Sequence, residues 1–416
     1  MSLWLLPISV IVAGVLILIA AAGLALRAWR AGSGRLRLAD LGKENETARE
    51  AMTGIRDFEL TRPDGSRLPG VWIPLLASMG LSAALSVKPE ASWPLVLLVG
   101  AYLAASWAFL AACDTPERVE GALGAIFWGT LPWVAFGMAL AFARVNWFDR
   151  WGPIVFQLGF PDHRADSIFG HPNLFAGYLL LAIGAGLALA PGRWRRYGPP
   201  LVAMVVCLVM TEARSAWIGA GVMGAVVMAF WWQRSGASRQ LRVASLSLVA
   251  AVLAVPMMFH AVRARFLTLF QPHYESNEGH ILVWEGALRM IAARPWLGWG
   301  PGTWSVVYPR FRDPREFEHL THAHSIYLGV ASEQGIVTLV FLLLFFGIVA
   351  AGGIRSGRVN PWTGRIASAL GAAIMGYFTM GLFDYQLSEG RNAVLLFAIA
   401  GLILAARTQE RRAASA

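Results

Sequence analysis

The chain has 416 residues, of which 56% are hydrophobic and 14% charged, with a mean hydropathy of +0.54. It is too apolar for one soluble core of this size, and its net charge of +10 sits in short connections between apolar runs, a membrane-topology pattern that disfavours a nucleic-acid partner. Cys113 and Cys207 fall at or inside apolar segments without ligand spacing, so neither a disulfide framework nor a cysteine zinc site is indicated.

Apolar runs close to the roughly 20 residues that span a hydrocarbon core recur along the chain. They lie at 3–26, 71–87, 93–113, 121–143, 173–191, 199–211, 215–232, 243–259, 325–351, 366–383 and 392–406. The fold class is therefore an all-α polytopic membrane protein of about 11–12 transmembrane helices. Three parts are expected: N-terminal spans over 1–259, a large helical loop over 260–323, and C-terminal spans with a cytoplasmic tail over 324–416. The first run lacks a basic start and a small-residue cleavage signature, and Arg27 and Arg30 follow it directly, so it reads as a retained helix with its N-terminus outside. Residues 28–70 are expected to hold a small cytoplasmic helix.

Alternation from that start puts Arg27 to Arg67, Arg193 to Arg196, Arg234 to Arg242, Arg355 to Arg365 and Arg407 to Arg412 in the cytoplasm, the positive-inside pattern repeated loop after loop. The other face receives residues 144–172, Glu212 to Arg214, the 260–323 loop and the turn from Leu387 to Arg391. All eight histidines fall there: His163, His171, His260, His273, His280, His319, His322 and His324. Within the large loop, Ile281, Leu282, Val283, Trp284, Leu288 and Ile291 have helical spacing and predict a helix lying at the membrane surface. Pro295 to Gly302 then breaks it, its glycines serving either to bring backbone N–H groups to a ligand or simply to turn the chain.

Arg214, in Thr211-Glu212-Ala213-Arg214-Ser215, interrupts an apolar stretch, and its rigid fork of donors suits phosphate oxygens; a salt bridge to Glu212 closing a hairpin is the plainer alternative. His324, in Thr321-His322-Ala323-His324-Ser325, stands where a neutral imidazole can accept a proton from an attacking hydroxyl; simple capping of the next helix is the plainer alternative there. Residues i and i+2 point to different faces of a helix, so His322 and His324 are not expected to clasp a metal. Glu333 falls within a span and requires a partner. No Asp-x-Asp pair occurs on the outer side, which leaves arginine as the counter-charge for any phosphate.

Four segments together resemble the O-antigen ligase family and its related polysaccharide polymerases. They are Phe169-Gly170-His171-Pro172-Asn173-Leu174-Phe175-Ala176, Thr211 to Ser215, Trp284 through Arg294-Pro295-Trp296-Leu297-Gly298-Trp299-Gly300-Pro301-Gly302, and His324-Ser325-Ile326-Tyr327-Leu328 into Glu333-Gln334-Gly335. The resemblance implies a multi-helix glycosyltransferase of GT-C-like architecture in the bacterial inner membrane, with its active site on the periplasmic side. It implies a glycan donor on undecaprenyl diphosphate, an acceptor hydroxyl, lipid A core before other glycans, and an inverting reaction with neither metal nor cofactor. Arg214 would hold the diphosphate and His324 would be the general base. Trp284, His322 and Asn173 would line the donor and glycan site beside them. Four residues before Trp284 the family pattern has a second arginine where this chain has His280; His280 itself, Arg289, Arg263 or Arg265 would fill that role. Two further readings stand beside the ligase: a polymerase of the same family, and a bicarbonate-like transporter, against which the absence of related halves counts.

Overall fold

A computed structural model describes residues 59–61, 67–143, 164–235, 263–264, 267–268, 275–315, 322–356 and 361–415. The expected spans at 3–26 and 243–259 lie outside the described residues, as do His163, His260, His273 and His319.

The chain is a multi-pass helical membrane protein. Helices α1 (Trp72–Ala84), α2 (Pro89–Ala112), α3 (Pro116–Ala143), α4 (Pro172–Leu189), α5 (Trp194–Met210) and α6 (Arg214–Ser235) precede the large loop. The loop contributes α7 (Glu275–Ala293) and the short α8 (Trp304–Val307), and α9 (Ile326–Ser356), α10 (Pro361–Met380) and α11 (Gly390–Ser415) follow it. Each expected span among the described residues is met by one of these helices. Six of them, α2, α3, α4, α6, α9 and α11, are long and apolar enough to cross a hydrocarbon core. Most of the 28–70 stretch, where a small cytoplasmic helix is expected, lies outside the described residues; at its end Glu59–Thr61 (β1) pairs antiparallel with Arg67–Pro69 (β2).

The core runs through α4, α10 and α11, whose inner faces are built from Ala, Gly and Leu so that backbones approach closely. At one crossing a Cβ on Gly219 would strike the carbonyl of Gly376, and a Cβ on Gly376 that of Gly219. Gly219 is near the start of α6 and Gly376 near the end of α10, so these two termini share one end of the bundle. At the opposite end, Glu120 near the start of α3 accepts from Arg193 (2.6 Å), Arg365 (2.8 Å) and Trp362 Nε1 (3.0 Å). Arg412 there donates to the carbonyl of Asp114 (3.4 Å). The arginines of the 193–196 and 361–365 connections and of the C-terminal helix thus gather at one end, as the charge pattern predicts.

Helix α9 is broken at Gly335 (φ 86°, ψ 163°), and the break is filled by the Pro295–Gly300 segment. The N–H of Ile336 donates to Pro295 O (2.8 Å), that of Val337 to Trp296 O (3.4 Å), and Gly300 N–H donates to Glu333 O (2.7 Å). Backbone groups freed by a break at membrane depth need such partners, and here protein supplies them.

Candidate active site

The first site segment follows from its sequence. Gly170 adopts a left-handed φ of 71°, Pro172 occupies the first turn of α4, and His171 caps that helix by accepting the Asn173 N–H at Nδ1 (3.2 Å). The cap turns Asn173 toward Arg164, whose Nη2 donates to Asn173 Oδ1 (2.7 Å) while its Nε donates to the carbonyl of Thr211 (2.8 Å). Ala165 N–H donates to Met210 O (2.9 Å). The start of α4 is thereby laced to the 211–213 turn that delivers Arg214 to the first position of α6. The Arg214 guanidinium donates through Nη1 to Thr268 Oγ1 (2.8 Å).

The second segment departs from expectation in a useful way. His322-Ala323-His324 is not helical: His324 takes a left-handed φ of 46°, and α9 starts only at Ile326. The rule that places residues i and i+2 on opposite faces of a helix therefore does not apply, and the two rings lie with centroids 4.4 Å apart. The His280 ring, from α7, is 4.8 Å from that of His324, and Trp284 one turn on donates through Nε1 to the His324 carbonyl (3.4 Å). From the turn after α10, Asp384 brings one carboxylate oxygen within 4.8 Å of a ring nitrogen on each of His322 and His324. The N–H of Ile326 donates to the carbonyls of Gly381 (2.8 Å) and Asp384 (3.1 Å), fixing the start of α9 against that turn.

Asp384, Asn173 and Arg164 join the two halves. The Asn173 side chain and the Arg164 charge both act on the Asp384 carboxylate, and Arg164 holds the turn that carries Arg214. Arg214 and His324 consequently belong to one end of the bundle, the end away from Glu120. Ser167, Glu212 and His324, the positive-φ residues other than glycine among the described positions, fall one in each of the three loops that meet here. Strained backbone of this kind persists where surrounding contacts over-determine it.

Burial sets the charge states. It holds the His324 imidazole below its ordinary value. It pushes His322 down to about 3, with the nearby charges of His324, His171 and His280 adding to the effect. The same burial raises the Asp384 carboxyl to about 6, against opposing hydrogen bonds from Tyr385 N–H and Asn173. Near neutral pH both imidazoles are held in the uncharged form.

Of the sequence candidates, His280, Trp284, His322 and His324 are brought together directly, and Asn173 and Arg214 are tied to them through Arg164 and Asp384. Arg289 is placed elsewhere: it donates to the Phe311 carbonyl (3.0 Å) and pairs with Glu285 (3.3 Å) and Asp313 (3.8 Å) on the exposed flank of α7. The glycines after Pro295 serve the break in α9, and Glu333 finds its partner there, accepting the Trp304 N–H (2.7 Å) at the start of α8. Sequence reasoning gave Arg164 no role and left Asp384 among the outer carboxylates. Their signals were an arginine just ahead of the Phe169–Ala176 motif, and an acidic residue in the polar break between two apolar runs.

No curated protein matches the chain. Residues 199–343, which include Arg214, His280, Trp284, His322, His324 and Glu333, match the family model described as O-antigen ligase, so this segment is similar to that family.

Proposed function

We propose that the chain transfers a glycan from undecaprenyl diphosphate to an acceptor hydroxyl, lipid A core first among acceptors, at the periplasmic face of the bacterial inner membrane. The observation that carries this reading is the meeting of His324, His322, His280 and Asp384 at the bundle end that also holds Arg214. A ring nitrogen of His324 takes the proton from the acceptor hydroxyl as its oxygen attacks the anomeric carbon. The bond from that carbon to the diphosphate oxygen breaks on the opposite side, so the configuration inverts, and the departing diphosphate keeps the electron pair. Arg214 matches the growing charge on the leaving group, and His280 faces the same space from α7. The scheme asks no metal to take part.

The test is transfer by purified protein from a lipid-linked donor to lipid A core. His324→Ala is expected to lower the rate about 10²–10⁴-fold, the range for losing a general base, and Arg214→Ala to abolish transfer, both with wild-type folding and monodispersity. Wild-type turnover in either variant removes that residue from the mechanism, and turnover in both overturns the reading.

A further inference from the structure

The groups around His324 are arranged for a second ligand that the transfer reaction does not require. We infer that His322, His324 and Asp384 bind one divalent transition-metal ion of the zinc class, and that the loaded site is silent in transfer. The second half rests on the role given to His324 above.

A ring nitrogen of each histidine and a carboxylate oxygen of Asp384 all lie within 4.8 Å of one another. Metal bonds of about 2.0–2.2 Å in a tetrahedron put ligand atoms roughly 3.4 Å apart, so no pair has to close by more than about 1.4 Å. Two buried polar atoms in this cluster make no hydrogen bond: Nδ1 of His324 and Oδ2 of Asp384, a residue only 2% exposed. Buried polar atoms nearly always find partners, and two orphans on two neighbouring metal-ligating residues point to a shared cation.

The surroundings have what a metal site needs outside its ligands. Asp384 Oδ1 accepts the Tyr385 N–H (2.9 Å), Asn173 backs the same carboxylate, and Trp284 fastens the His324 backbone. Two imidazoles and one carboxylate select zinc, cobalt or nickel over magnesium or calcium, which prefer an all-oxygen shell. Three protein ligands leave a fourth position for water. A metal on His324 occupies the lone pair that would otherwise take the acceptor's proton, so metal binding and base catalysis exclude each other.

The experiment uses the full chain in detergent, stripped with chelator and freed of any purification tag, titrated with Co²⁺ alone and followed by the visible absorption of tetrahedral cobalt. Wild type is expected to bind one Co²⁺ that Zn²⁺ displaces, and Asp384→Asn and His322→Gln each to weaken binding about tenfold or more. Absence of the cobalt spectrum, or unchanged affinity in the two variants, overturns the site; if Asp384→Asn does not fold, His322→Gln decides. In the transfer assay, saturating Zn²⁺ is expected to cut the wild-type rate about tenfold or more, with chelator restoring it. Undiminished transfer at saturating Zn²⁺ overturns the silencing. Cobalt binding needs no glycan, so the site stands or falls independently of the transferase reading, which the chelated enzyme tests separately.

Discussion

Glu333→Ala measures how firmly the loop after α7 is held in the break of α9. Glu333 is 6% exposed, and its Oε1 accepts the Trp304 N–H at 2.7 Å. Alanine leaves that buried donor without a partner, at about 1–3 kcal/mol, and removes a buried methylene worth about 0.8 kcal/mol. The expected loss is about 2–4 kcal/mol. Glutamine keeps an acceptor oxygen and most of the volume, so Glu333→Gln should lose about 1 kcal/mol. Thermal unfolding of both variants in detergent should give the order wild type, Gln, Ala. Limited proteolysis should find the Pro295–Val307 segment cut first in the alanine variant. Equal melting temperatures for Glu333→Ala and wild type, with the segment still protected, would refute the assignment of Glu333 as its anchor.

Gly335→Ala places a Cβ against the Trp296 carbonyl at a φ of 86°, a region costing about 1–3 kcal/mol for other residues; it should lower the melting temperature. Gly347→Ala, on the same helix with open space around it, should raise it or leave it unchanged. Arg164→Ala removes both the Thr211 and the Asn173 bonds and should lower kcat/KM about tenfold to a hundredfold by loosening the Arg214 turn; a value within about twofold of wild type would dismiss that positioning role. The pH dependence of stability, measured with chelator present, has a sign fixed by competing groups. Between 6.5 and about 3 the unfolded chain holds a proton on His322 that the folded chain excludes, so stability is lost as pH falls. Asp384 acts oppositely between 3.8 and about 6, where the folded chain holds the extra proton. His322→Gln should therefore flatten the acid loss, and Asp384→Asn should steepen it; reversed effects would refute the burial of these groups.

The spans were legible because hydrocarbon thickness imposes a length on every crossing segment, and arginine placement then orders the loops. Arg214 and His324 could be chosen because each is a costly polar group at a membrane face, and His280 because it stands four residues before Trp284, where the family pattern has an arginine. The relation between His322 and His324 was not legible, since it depends on a left-handed backbone at His324 that no short pattern specifies. Arg164 and Asp384 were hidden for a related reason: their roles come from the docking of the α4 start and the α10 turn, contacts some 220 residues apart. Conversely, the Pro295–Gly302 glycines could be read equally as ligand contacts or as a plain turn, and their use in filling the break of α9 depends on a contact the sequence does not specify.

Glu120 clasps Arg193, Arg365 and Trp362 at the end of the bundle remote from the histidines. One carboxylate thus rivets α3, the α4–α5 connection and α10 together at their feet. If these helices splay to let a bulky lipid tail slip in sideways, they pivot about that rivet, as the blades of tongs turn about their pin.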